Sequence, residues 1–168
     1  IALLARYLDV ADGASRLVAQ KLAYLGQQFG APFKLQFVKA QFGPYAEAVN
    51  HVLQATEGHY TVGYGDRSGP SPLGLVEGAR ELAESYLSSH PDLTECVEKT
   101  SRLIDGLESP YGLELLSTVH YVASYDERPA RTASEAVARV QEWSERKGRL
   151  FTIEHITIVW DHLLEAGL

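Results

Sequence analysis

Apolar residues recur every three or four positions over most of this chain, which is typical of amphipathic helices. The first two predicted helices carry the stripes Leu3, Leu4, Tyr7, Leu8, Ala11 and Val18, Leu22, Leu25, Phe29. Beyond residue 72 the predicted inward positions are Leu75, Ala79, Leu82, Tyr86; Leu93, Val97, Ile104, Leu107; Leu115, Val119, Val122; Val137, Val140, Trp143; and Ile153, Ile156, Trp160, Leu163. Ser15, Asp92, Thr132 and Thr152 occupy positions that favour helix capping. These patterns predict a chain built mainly from helices.

A different pattern covers residues 36–66, around which the rest of the chain is predicted to be organised. A strand is predicted by Phe37, Val38 and Phe42, and it is broken by Gly43-Pro44. A helix that runs to Glu57 is predicted next, because Pro44 suits the first position of a helix. Residues 60–64 alternate again and predict a second strand. Because the helix must return the second strand beside the first, we expect the two strands to pair.

The predicted fold is therefore mainly α (α+β), with about seven or eight helices and a small two-stranded β-sheet. A length of 168 residues is typical of one domain. The chain begins at Ile1 and contains no methionine, which predicts a piece cut from a longer protein. No apolar run approaches the length of a membrane span, and the single cysteine, Cys96, favours a reducing cytoplasm.

The net charge of −7 is unevenly distributed along the chain. Residues 1–66 hold five acids and five bases, whereas residues 77–114 hold nine acids and three bases. This balance argues against nucleic-acid binding, which needs a basic face. The exposed face predicted for Glu77, Glu81 and Glu84 either aids solubility or meets a basic partner, and the sequence leaves both interpretations open.

No pattern in the sequence predicts a catalytic site. The six histidines, at positions 51, 59, 90, 120, 155 and 162, show no metal-ligand spacing, and no serine lies in a nucleophile elbow. Cys96 is predicted to be a small core residue. We therefore predict no catalytic residue, no metal and no cofactor.

Aromatic residues near the predicted turns are the candidates for binding instead, because tyrosine favours interfaces. We predict a partner-binding surface formed by Phe42, Tyr45, His59, Tyr60, Tyr64 and Asp66, joined by the acids Glu77, Glu81 and Glu84. Phe42, Tyr45, His59, Tyr60 and Asp66 are expected to lie close together, because the predicted sheet brings the two turns side by side. The alternative for Tyr45 and Tyr60 is that they belong to the core.

Several longer motifs support a family resemblance. The segments KLAYLGQ (21–27), VKAQFGPYAEAVNHVL (38–53), EGHYTVGYGDR (57–67) and FTIEHITIVWDHLLEAGL (151–168) resemble the C-terminal domain of DarG-type macrodomain antitoxins. The partners of those antitoxins are DarT-type toxins, which attach ADP-ribose to thymidine in single-stranded DNA. The resemblance implies that residues 1–168 form a C-terminal toxin-binding fragment, and that an N-terminal macrodomain which removes ADP-ribose from DNA is absent.

The predicted function is accordingly that of a non-enzymatic antitoxin domain. It would bind a DarT-type toxin and occupy the single-stranded-DNA groove of that toxin with acidic and aromatic groups, since such a groove is expected to be basic with stacking surfaces. Direct nucleic-acid contact, a membrane and a small-molecule substrate are not expected. Two alternatives stay open, a helical nucleic-acid-binding domain and an uncharacterised hydrolase.

Overall fold

The structure is a computed structural model that describes residues 1–65 and 72–168. Its helices in these ranges are α1 Ala2–Tyr7, α2 Arg16–Gln28, α3 Glu47–Thr56, α4 Ala79–Ser88, α5 Pro91–Ile104, α6 Pro110–Ser124, α7 Ala133–Trp143, α8 Glu145–Leu150 and α9 Ile153–Glu165. Its strands are β1 Val38–Ala40, β2 Gly43–Tyr45, β3 Thr61–Val62 and β4 Gly74–Leu75. The mainly α fold class predicted from the sequence is confirmed.

Helix α6 lies at the centre of the packing. Ten of its fifteen residues are buried, and it contacts α2, α7, α9 and β2. Helices α7, α8 and α9 complete one half of the domain, while α1, α2, α4 and α5 pack against one another in the other half. Helix α2 contacts both halves, and its side chains therefore lie at the boundary between them.

Local capping signals mark several of the observed helix starts. Ser15, Thr132 and Thr152 each accept a hydrogen bond from a backbone N–H three residues ahead. Ser144 caps α8 in the same way. This short helix was not predicted from the periodicity. The predicted capping role of Asp92 is wrong, because α5 begins at Pro91.

The predicted strand pairing is also wrong. Strand β1 pairs with β2 in an antiparallel hairpin, in the register Val38 with Tyr45 and Ala40 with Gly43. Strand β3 pairs with β4. The two strands on either side of α3 therefore lie in different small sheets. Pro44 and Tyr45, predicted to open the helix, belong to β2 instead, and α3 begins at Glu47.

The predicted apolar stripes are mostly but not entirely buried. Ile156, Trp160 and Leu163 of α9 lie in the core, whereas Ile153 in the same predicted stripe is exposed. Leu82 of α4 is also exposed. No helix in the described ranges combines the length and the apolar character that a membrane span requires.

Candidate functional site

The β1–β2 hairpin and helix α2 enclose a groove whose lining includes two cations. This groove, named the hairpin groove here, has a volume of about 430 Å³. The residues lining it are Arg16, Leu17, Gln20, Lys21, Ala40, Gln41, Phe42, Gly43, Tyr45 and Asn50. Cations, amides and aromatic rings make up much of its wall, and the lining includes no aspartate or glutamate.

Helix α2 fixes the hairpin through hydrogen bonds to its backbone. Lys21 Nζ donates to the carbonyl oxygen of Pro44 at 2.8 Å. Gln20 donates to the Ala46 carbonyl oxygen at 2.9 Å and accepts from the Ala46 N–H at 3.0 Å. All three bonds are buried, so breaking any of them would leave a buried polar group without its partner.

Helices α7 and α8 hold the hairpin from its other side. Trp143 Nε1 donates to the Ala40 carbonyl oxygen at 2.9 Å. The guanidinium of Arg146 lies 4.8 Å from the centroid of the Phe42 ring, a cation–π distance. Phe42 sits in the two-residue turn of the hairpin and is still 44% exposed. The turn is therefore held by contacts with α7 and α8 while its aromatic ring stays partly exposed.

The hairpin passes very close to the helices at Gly43. A Cβ at this position would lie 2.9 Å from Thr118 Oγ1 and 3.2 Å from Lys21 Nζ, and the backbone has a φ of +92°. Both the contact distance and the positive φ favour glycine. Gly43 thus lets the Lys21 ammonium lie directly beneath the hairpin backbone.

A buried ionic cluster underlies this contact. Glu114 accepts hydrogen bonds from both terminal nitrogens of Arg146, at 2.6 and 3.1 Å, and from Lys147 Nζ at 2.7 Å. Lys147 is fully buried and also donates to Thr118. Burial acts to raise the pKa of Glu114, but the hydrogen bonds from Arg146 and Lys147 outweigh it and hold the pKa below its usual value. Glu114 is therefore a carboxylate that anchors α8 to α6.

Lys21 is the most perturbed cation in the groove wall. Burial lowers its pKa from the usual 10.5 to about 7, the nearby Lys147 charge acts in the same direction, and Glu114 opposes them. The position of Lys21 in α2 is the signal in the sequence that could have identified it as a buried cation. Lys21 falls within the apolar stripe of Val18, Leu22 and Leu25, where a charged side chain is unusual.

A second groove, named the apolar groove here, lies on the other side of α2 and α3. Its volume is about 740 Å³, and its walls include Leu3, Leu22, Phe33, Val52, Tyr60, Leu82, Tyr86 and Cys96. Cys96 is buried, as predicted for a small core residue, and its thiol donates to the Gly26 carbonyl oxygen at 3.3 Å.

The predicted partner-binding residues are divided between these regions. Phe42 and Tyr45 line the hairpin groove, whereas Tyr60 lines the apolar groove. The predicted single aromatic patch is therefore wrong, because β1 and β3 do not pair. His59 is exposed beside Tyr60, and Tyr64 is buried in the core. Asp66 lies outside the described residues.

The predicted acidic face is exposed, and Glu57 has an unexpected structural role. Glu77 lies at the surface just before α4, and Glu81 and Glu84 are exposed along this helix. The carboxylate of Glu57 accepts from the N–H groups of Gly63 and Tyr64, both at 3.1 Å, and so shapes the turn that follows α3. Within residues 1–65 and 72–168, no three His, Cys, Asp or Glu side chains come together as metal ligands.

Comparison with curated proteins reveals relatives named for an enzyme. The chain is 41% identical over 161 residues, 96% of its length, to a protein of Thermus aquaticus named DNA ADP-ribosyl glycohydrolase. Proteins of the same name from Mycobacterium bovis and Mycobacterium tuberculosis are each 34% identical over 159 residues, 90% of the chain. The chain spans 44% of the length of the first relative and 45% of the other two. No family model matches the chain.

These names overturn three predictions made from the sequence. The relatives are named for a glycohydrolase and not for a toxin inhibitor, which contradicts the assignment as a toxin-neutralising antitoxin fragment. The predictions of a non-enzymatic protein and of inhibition by DNA mimicry are wrong for the same reason. The hydrolase that the sequence left as an alternative agrees better with the relatives. The physical cause of the error is that acidic and aromatic surface residues are compatible with many functions.

Proposed function

We propose that this chain takes part in the hydrolytic removal of ADP-ribose from DNA. The main support for the proposal is the 41% identity, over 96% of the chain, to a protein named DNA ADP-ribosyl glycohydrolase. Because the chain spans less than half of that relative, the activity is proposed for the whole protein to which these residues contribute.

The proposed reaction is a glycoside hydrolysis. The oxygen of a water molecule forms a bond to the anomeric carbon of the ADP-ribose, and the bond from that carbon to the DNA breaks. One proton of the water ends on the DNA atom that leaves, and the other stays on the new hydroxyl group. The products are free ADP-ribose and unmodified DNA, and no electrons are exchanged.

The geometry of the hairpin groove supports a role in holding the substrate. Its wall combines the cations of Arg16 and Lys21 with the rings of Phe42 and Tyr45. Proteins that bind single-stranded nucleic acid use the same combination, in which cations follow the phosphates and rings stack on the bases. Paired carboxylates are the usual catalytic groups of glycosidases, and the described lining contains none. We therefore assign to this groove the binding of the ADP-ribosylated DNA.

This proposal departs from one untested expectation. Direct nucleic-acid contact was not expected from the net charge, but the charges lining the hairpin groove are positive although the chain as a whole is acidic. The predicted toxin partner stays a prediction. We propose the cytoplasm as the location, since DNA is the substrate and the single thiol is free.

An assay of ADP-ribose release tests the proposed reaction. The full-length gene product containing these 168 residues is incubated with a single-stranded oligonucleotide that carries one ADP-ribose. We expect mass spectrometry to detect free ADP-ribose together with the unmodified oligonucleotide. An absence of release by the correctly folded protein would contradict the proposed function.

A pair of matched phenylalanine variants tests the role of the hairpin groove. Phe42 in the hairpin groove and Phe33 in the apolar groove are each 44% exposed. Because stacking on one base contributes roughly 1–3 kcal/mol, we expect Phe42→Ala to raise KM by about tenfold. Phe33→Ala should leave KM unchanged. If both variants hydrolyse the substrate like the wild type, the substrate does not bind in the hairpin groove.

A further inference from the structure

Of the fourteen Lys and Arg side chains in the described residues, eight pair with a described carboxylate, and the two cations of the hairpin groove are among the six that do not. Ion pairs join Arg80 to Asp9 and Lys99 to Glu95, both at 2.7 Å. By contrast, no carboxylate of the described residues lies within 4.0 Å of the charged nitrogens of Arg16 or Lys21. Both residues line the same groove, and two cations without a carboxylate partner are suited to an anion.

The environment of Lys21 strengthens this assignment. The side chain is 2% exposed, and its one described hydrogen bond, to Pro44, uses one of three N–H donors. A buried charge is unfavourable unless an opposite charge or further hydrogen bonds compensate it. Lys21 belongs to the lining of the groove, and an anion that reaches its ammonium from the groove would supply both.

The amide side chains of the groove have other tasks. Gln20 forms a reciprocal pair of hydrogen bonds with the backbone of Ala46. Asn50 donates to the Tyr45 hydroxyl at 2.6 Å and to Glu47 at 3.3 Å. Both amides therefore stabilise the walls, and the charged nitrogens of Arg16 and Lys21 are the groups suited to the anion.

The aromatic ring of Phe42 supplies the second half of the site. Arg146 covers part of the ring, yet Phe42 remains 44% exposed and belongs to the lining of the groove. An exposed ring held in place by the hairpin is a stacking surface for a planar base. The groove volume of about 430 Å³ falls within the range of small-molecule sites.

We propose that the hairpin groove is a nucleotide site in which Arg16 and Lys21 bind a phosphate while Phe42 stacks on the attached base. The inference deepens the proposed function and rests on it for the source of the nucleotide. Two sources share this chemistry, namely the adenosine diphosphate part of ADP-ribose and a nucleotide of the DNA strand.

Calorimetric titration distinguishes the two sources without any turnover. The full-length protein is titrated separately with ADP-ribose and with an unmodified single-stranded oligonucleotide. We expect at least one of them to bind, and Arg16→Gln to weaken that binding by about tenfold, since a hydrogen bond to a charged group contributes roughly 1.5–3 kcal/mol. The control Arg102→Gln removes an exposed arginine that pairs with Glu98, and should bind like the wild type.

Each outcome has a definite meaning. Arg16-dependent binding of ADP-ribose alone assigns the groove to its diphosphate, and Arg16-dependent binding of the oligonucleotide alone assigns it to the DNA strand. Binding of neither probe, or binding that Arg16→Gln and Arg102→Gln affect equally, would overturn the site. Arg16 is half-buried on the surface of α2, so this variant avoids the folding risk of a Lys21 variant.

The same protein preparations separate this inference from the proposed function. If ADP-ribose or the oligonucleotide binds through Arg16 but no ADP-ribose is released from modified DNA, the nucleotide site stands and the hydrolase proposal fails. If ADP-ribose is released but Arg16→Gln changes neither binding nor KM, the hydrolase proposal stands and the nucleotide site fails.

Discussion

The hairpin groove and the apolar groove are built on the same two helices, but only the hairpin groove is lined by charged and amide side chains. Helix α2 supplies Lys21 to the hairpin groove and the next residue, Leu22, to the apolar groove. Helix α3 likewise supplies Asn50 to the first and Val52 to the second. Since adjacent residues of a helix point about 100° apart, one helix can form a polar wall on one side and an apolar wall on the other.

The two grooves also differ in what holds their walls in place. The hairpin groove depends on directional bonds, such as those from Lys21 and Trp143 to the hairpin backbone. The apolar groove depends more on side-chain burial, which is non-directional. Single substitutions should therefore damage the hairpin groove much more than the apolar groove.

Removal of the Glu114 carboxylate should have the largest effect. Glu114→Ala leaves the fully buried Lys147 without its charge partner beneath the hairpin. Breaking a buried ion pair in this way costs roughly 3–5 kcal/mol of the free energy of unfolding, measurable by urea denaturation. As a control, Glu98→Ala removes an exposed partner of Arg102 and should cost about 1 kcal/mol or less. A loss below 1 kcal/mol for Glu114→Ala would show that the cluster does not support the hairpin groove.

Substitution of Lys21 should change how stability depends on pH. Its pKa is about 7 in the folded protein, lowered first by burial and then by Lys147, with Glu114 opposing, and is about 10.4 in an unfolded chain. Between these values the unfolded state binds the additional proton, so the contribution of Lys21 to the free energy of unfolding increases as pH rises from 7 to 10. This increase is at most about 1.4 kcal/mol per pH unit.

Lys21→Met removes the titrating group and should therefore show a flatter stability profile than the wild type over that range. Urea denaturation of both proteins at pH 6, 8 and 9.5 measures the difference. The lost hydrogen bond to Pro44 lowers the stability of the variant at every pH and does not change the slope. Parallel profiles would mean that Lys21 keeps its ordinary pKa in the folded protein.

The smallest effect on stability is expected in the apolar groove. Leu82 lines this groove and is largely exposed, so Leu82→Glu should change the free energy of unfolding by less than about 0.5 kcal/mol. It should nevertheless reduce binding of an apolar fluorescent dye, because the groove is an exposed apolar surface. Ile158→Glu, at a similarly exposed position on α9, should leave dye binding unchanged. Equal dye binding by both variants would show that the groove does not bind the dye.

The sequence predicted best those features that depend on neighbouring residues. The caps at Ser15, Thr132 and Thr152 are found where the sequence places them, because a cap needs only a side chain and an N–H three residues away. Periodicity identified apolar faces but not what covers them. Ile153 and Leu82 belong to apolar stripes and are still exposed, since burial depends on the neighbouring elements.

The β1–β2 hairpin illustrates what local signals miss. Its two turn residues, Gln41 and Phe42, include none of the Asn or Gly residues that usually indicate a two-residue hairpin turn. Pro44 suits a helix start equally well, and the sequence alone therefore favoured the wrong structure. The bonds that fix the hairpin come from Lys21 and Trp143, 23 and 103 residues away from their acceptors.

The sequence by itself determined a mainly helical domain, the positions of most helices and several of their caps. These features follow from hydrogen bonds and side-chain spacing within a few residues. Only the tertiary structure decided that Arg16, Lys21 and Phe42 share one groove, that Tyr60 lies in another and that Tyr64 is buried. The physical reason is that a groove is formed by elements distant in sequence, whose relative positions depend on packing and on long-range hydrogen bonds.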